Sequence, residues 1–277
     1  MTLFAILLGT VLAGVGSVWI AAAISLGVLA RYTQHMLSLA AGALMATAFM
    51  HLLPEAFESA AGAHDLFALL LVGLVFFFLL DKAELWHHGH EHHHPAPALR
   101  GHAHHAHASA HAHGHGHAHD HGHREARSGG WSVLAGDSVH AFGDGILIAS
   151  AFLADIRLGV VAALAVLAHE VPHHMGDLVV LRQTSGTRRA AIVKVSLAGT
   201  VTAVGGLFGY WIVNRLEDYL PYFLVLASSS FVYVALADLI PQLQKRLSAR
   251  ETAAQVAWLG VGIGLVTVVS VLAHAHH

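Results

Sequence analysis

The sequence predicts an all-α polytopic membrane protein with eight transmembrane helices. Of its 277 residues 56% are hydrophobic and 11% charged, whereas soluble domains usually carry about a quarter charged residues. Those few charges are clustered. They leave several windows of twenty or more apolar residues, the length a helix needs to cross about 30 Å of hydrocarbon. Two of the windows nevertheless contain carboxylates and imidazoles at helical spacing, and that exception carries the functional reading.

The apolar windows fall near 3–29, 36–59, 64–86, 131–154, 158–181, 189–213, 219–243 and 252–273. The first lacks a positive leading segment and is far longer than a signal-peptide core, so it reads as a retained helix with its amino end outside. An even number of spans puts both termini on that same side. Lys and Arg accumulate in cytoplasmic connections. On this topology the inner connections hold twelve of the 14 Lys and Arg: Arg31, Lys82, Arg100, Arg124, Arg127, Arg182, Arg188, Arg189, Lys194, Lys245, Arg246 and Arg250. Only Arg157 and Arg215 fall outside.

The bias makes the third connection cytoplasmic. It divides the chain into spans one to three (1–86), a loop (87–127) and spans four to eight (128–277), all within one membrane domain. Between His87 and Arg127 the loop holds 17 His among short Ala and Gly, with Pro95 and Pro97. Such a composition cannot bury a core and reads as disordered. Its imidazoles, His92, His93, His94, His104 and His105 among them, are expected to bind metal near neutral pH.

Cysteine is absent, so disulfides and thiolate ligands are excluded and any metal must be held by N and O atoms. No basic stripe suggests nucleic acid, and no pattern calls for an organic cofactor. A faint internal symmetry is present: span two ends in HLLPEA with His51, Pro54 and Glu55, and span seven in DLIPQL with Asp238 and Pro241. Paired Pro-interrupted helices are a pointer to transporters built from pseudo-symmetric halves.

An ionisable side chain inside a span costs about 2.5–3.5 kcal/mol on insertion scales, so such groups persist mainly where they face a cavity. Span four carries Asp137, His140 and Asp144; span five carries His169, Glu170, His173, His174 and Asp177. His140 and Asp144 are four apart and share a face, as do His169 and His173, so two antiparallel helices can offer four N/O ligands to one ion. Glu170, one step round, can bridge or complete an outer shell. Imidazole with carboxylate suits Zn²⁺, with Fe²⁺, Mn²⁺, Co²⁺, Ni²⁺ and Cd²⁺ as further candidates. Asp144 and Glu170 together cancel one divalent charge. Pro172 leaves the Ala168 carbonyl without its helical donor, a break tolerated where a helix lines a cavity. Gly143 and Gly145 are expected to let the opposing helix come close. His51, Glu55, Asp137 and Asp238 are candidates for an entry and exit route.

The competing reading is enzymatic. HEVPH fits HExxH, the pattern in which two His bind zinc and Glu acts as general base. An intramembrane metalloprotease, however, needs one further ligand rather than a second ligand-rich helix. A metal exporter is a third reading, since helix count does not fix direction.

HAFGDG in span four, HEVPHHMGD in span five, AFMHLLPEA in span two and YVALADLIPQL in span seven resemble the ZIP (zinc/iron permease) transporters. The similarity is greatest to the His-rich branch whose fifth helix reads HExPHExGD. The resemblance implies a three-two-three inverted repeat, zinc import toward the cytoplasm across a cell (inner or plasma) membrane, an elevator-like movement and, in many members, a homodimer. By position it implies a main site of His140, Asp144, His169 and His173, with Glu170 serving a neighbour. Ala141 stands where the branch has Asn, His174 where it has Glu, and Thr200 where two-metal members carry an acid. These departures predict a weak or absent second site.

Overall fold

The computed structural model describes residues 1–24, 33–89, 122–185, 187–243 and 248–275. They form helices with no strand among them. Numbered in chain order, α1 is Thr2–Ile24, in which a π turn at Leu12–Gly16 joins two α segments. α2 is Gln34–Phe57, with a second π turn at Ala48–Leu52. α3 is Ala63–Gly89, α4 Gly122–Ala154, α5 Ile156–Ser185 and α6 Arg188–Arg215. α7 is Leu220–Leu243 and α8 Ala249–Ala275.

Among the described residues, seven helices are long and apolar enough to cross a membrane. The expected fourth span is the exception: α4 has the length, but Asp137, His140 and Asp144 interrupt its apolar run. It also begins at Gly122, well before the expected 131 and inside the stretch expected to be loop. His92, His93, His94, His104 and His105 lie outside the described residues, as does the side chain of Asp238.

Side-chain capping fixes several helix starts. Asp155 Oδ1 accepts from the amide of Arg157 at 2.7 Å, and Thr187 Oγ1 from that of Ala190 at 3.2 Å. Ser248 and Glu251 form a reciprocal capping box at 2.8 and 3.3 Å. Within the helices, Thr10, Thr47, Ser150 and Ser228 donate to carbonyls four residues back. These hydroxyls are thereby satisfied inside their own helices, as a bilayer requires.

Lipid gives helices no hydrophobic reason to associate, so close packing through small residues does the work. α4 lies against α6, where Gly145 faces the backbone of Thr202 and Gly206, and Gly205 that of Phe142. Gly14 of α1 meets Gly199 of α6 in the same way. Gly42 of α2 abuts Leu259 of α8, while Gly262 abuts Leu39. Gly73 of α3 accommodates Ser229 of α7, whose hydroxyl also lies 3.2 Å from the Leu70 carbonyl.

These contacts sort the helices into two groups. α1, α4, α5 and α6 pack mutually, α2 packs on α7 and α8, and α3 on α7; α2 against α5 and α4 against α7 join the groups. The joint is filled by Leu44, Leu52, Ile148, Val166, Leu224 and Phe231. Large apolar side chains such as Phe4, Trp19, Leu71, Phe76, Leu197, Trp211 and Val268 point outward. An outer apolar coat around a buried polar cluster is the arrangement a bilayer-embedded protein adopts.

Candidate metal centre

The one-residue connection at Asp155 folds α5 back along α4, so residues late in α4 face residues early in α5. His140 Nε2 lies 3.3 Å from His169 Nε2, 3.8 Å from Asp144 Oδ2 and 3.5 Å from Glu170 Oε1. His169 Nε2 is 3.4 Å from Asp144 Oδ2 and 3.1 Å from Glu170 Oε1. A tetrahedral ion with bonds of about 2.0 Å holds its ligand atoms about 3.3 Å from one another. The five separations bracket that value, and all four atoms lie within 4.8 Å of one another. Asp144, His169 and Glu170 are buried; Asp144 Oδ2 and Glu170 Oε1 have no hydrogen-bond partner.

The expectation from spacing that His173 completes this set differs from what is found. Glu170 occupies that place, and His173 Nε2 lies 3.7 Å from Asp137 Oδ1 and 3.6 Å from Asp177 Oδ2. Helical spacing gives the direction of each Cβ but not how far the side chain reaches. The longer Glu170 chain swings back to His169, while His173 sits one turn further along α5, with a side chain 46% exposed against 3% for His169. His173 still stacks on His140, with ring centroids 5.7 Å apart. α5 runs through Pro172 without interruption.

Two further groups continue the row: Asp137 with His173 and Asp177, and Asp137 with Glu170 and His174. Asp137, expected as a route residue, is therefore buried within the cluster. Of the other route candidates, His51 lies in the π turn of α2, and Glu55 is exposed one turn on. Gly143 has nothing near it, and Gly145 faces α6 rather than the opposing ligand helix α5, so only one of the two glycines serves a close approach. Thr200 is exposed, its hydroxyl donating to the Leu197 carbonyl at 2.6 Å. One participant escaped the sequence reading altogether. Ser17 of α1 lies 3.0 Å from His174 Nδ1, and a lone serine in an apolar helix carries no signal that would single it out.

The family profile described as ZIP Zinc transporter matches residues 1–270. The chain belongs to the ZIP zinc transporter family. Among curated relatives it is 34% identical over 113 residues to mouse "Zinc transporter ZIP10", covering 41% of this chain and 14% of that protein. It is 35% identical over 115 residues to human "Zinc transporter ZIP4" (42% and 18%). To "Zinc transporter foi" of Drosophila melanogaster it is 29% identical over 141 residues (50% and 20%). The matched stretch spans a fifth or less of the length of these relatives. ZIP membership is that of transporters, not enzymes, and the protease reading of HEVPH loses its ground. The geometry agrees, because His169 and His173 point into different groups of this ZIP protein.

Proposed function

We propose that this ZIP protein carries zinc across a cell membrane toward the cytoplasm, binding it between α4 and α5 through His140, Asp144, His169 and Glu170. The observation that carries the reading is the near-tetrahedral set of separations among those four ligand atoms. Relatives named as zinc transporters favour zinc as the substrate. The donor set also admits Fe²⁺, Mn²⁺, Co²⁺, Ni²⁺ and Cd²⁺.

In this reading α4 is the eighth span, tolerating its polar groups because they face the interior. The helix contacts favour a three-two-three inverted repeat. Exchanging α1 with α6, α2 with α7, α3 with α8 and α4 with α5 turns the α2–α8 contact into α7–α3, the α4–α6 contact into α5–α1, and the α2–α5 contact into α7–α4; all of these contacts occur. Every ligand of the site comes from α4 and α5, within the α1/α4/α5/α6 group. That group can therefore move against the other as an elevator without breaking a metal bond. Asp137, His173 and Asp177 then form the route toward the cytoplasmic side, where residues 87–127 connect the first three spans to the last five and gather metal. Both termini lie outside, and two copies associate in the bilayer.

The test is uptake by vesicles of known protein orientation, loaded with a zinc-sensitive dye. Zinc offered at the outer face produces a signal that scales with the protein. A signal only when zinc is offered at the cytoplasmic face establishes an exporter instead.

A further inference from the structure

α1 and α6 touch where Gly14 meets Gly199. Between that crossing and the start of α6 they leave an open groove of about 900 Å³. Its apolar lining includes Trp19, Ala23, Val193 and Leu197, and one end carries Arg188 and Arg189. The lining continues along α6 as far as Thr200, which at 1.5 Å per residue is a run of about 18 Å from Arg188. Trp19, Val193 and Leu197 are exposed, so in a bilayer the groove opens on lipid.

The two arginines are held differently. Arg188 Nη2 donates to the Ala22 carbonyl at 2.7 Å, bracing α6 against the end of α1. Arg189 is exposed, and its guanidinium has no ion-pair or hydrogen-bond partner among the described residues. The first turn of α6 holds no acidic residue either. Cations at that position oppose the positive end of the helix dipole, so this end of the groove is short of negative charge on two counts.

We propose that the groove between α1 and α6 binds an anionic phospholipid. Arg188 and Arg189 hold its phosphate, and one acyl chain lies along Trp19, Val193 and Leu197. Guanidinium groups take phosphate oxygens through paired N–H donors, and basic pockets between transmembrane helices select anionic headgroups. Trp19 suits the same level, because indole rings settle where headgroups meet hydrocarbon. A soluble anion uses the arginines but leaves the apolar run empty; a lipid fills both. Because α1 and α6 both belong to the α1/α4/α5/α6 group, the lipid stays attached to that group. The site requires only that the chain lie in a bilayer and is independent of the metal centre.

Native mass spectrometry of the full chain, released from micelles doped with equal phosphatidylglycerol and phosphatidylcholine, tests the site. The wild type should retain one phosphatidylglycerol in preference, and a large excess of inorganic phosphate should not displace it. Arg189→Gln removes an exposed charge without disturbing packing, and should lower that retention about five-fold, the weight of one arginine near an anionic lipid. Ala23→Phe fills the groove and keeps both arginines, and should lower it at least as far. Arg182→Gln, on α5 and outside the groove, should leave it unchanged. Unaltered thermal unfolding midpoints show that the variants are folded. Equal retention of the two lipids overturns the proposal, as does retention indifferent to Ala23→Phe or equally lowered by Arg182→Gln. Displacement by phosphate, or a dimer that carries no phosphatidylglycerol, overturns it as well.

Discussion

His140 Nε2 and His169 Nε2, carried by different helices, face each other at 3.3 Å. Two imidazole nitrogens meet at that distance only with a proton or a metal between them, since their lone pairs otherwise repel. Asp144 and Glu170 close the remaining sides of the gap. The pair therefore marks the position proposed above for the ion.

The assignment of Glu170, and not His173, to this ion separates the three-dimensional arrangement from the helical spacing. Glu170→Gln keeps the size of the side chain and removes its charge, and should weaken zinc binding more than ten-fold. His173→Ala should weaken it less. Competition titration of both variants against a calibrated chelator checks the order.

Imidazoles must give up a proton to bind zinc, so protons compete for the site. The sign follows: apparent affinity, and uptake at limiting zinc, rise as the pH is raised from about 5.5 to 7.5. Initial uptake rates across that range measure it. At saturating zinc the dependence should shrink.

Gly145 and Gly143 offer a paired test of packing. A methyl group at 145 meets the backbone of Thr202 and Gly206, whereas one at 143 meets nothing. Gly145→Ala should lower stability by about 1–3 kcal/mol, the usual range for overpacking, and Gly143→Ala should leave it nearly unchanged. Thermal unfolding in detergent distinguishes them.

The chain has no cysteine, which permits clean cross-linking. Ala43 of α2 and Val161 of α5 belong to one buried cluster that spans the two helix groups. A bridge between cysteines at these positions should stop uptake reversibly if one group slides past the other. A bridge joining α4 and α6, both in the same group, should be tolerated. Dye-reported uptake before and after reduction reads both.

Most of the architecture was written in the spacing of charges. The apolar windows and the concentration of His, Asp and Glu on α4 and α5 depend on one-dimensional patterns that burial in lipid enforces. The exchange of Glu170 for His173 was not legible, because a helical wheel records Cβ directions and ignores side-chain length. The early start of α4 at Gly122 was hidden because His-rich, polar sequence lacks an apolar period. Ser17 was invisible for a different reason: its importance comes from α1 lying against α5, a contact no local pattern announces.

The central claim is that zinc crosses by way of the ion position shared by α4 and α5. Its most direct test is zinc uptake by oriented vesicles containing equal amounts of wild-type protein, His140→Ala or His169→Ala. The account predicts at least a ten-fold fall in initial rate for each variant. Wild-type rates in both would contradict it.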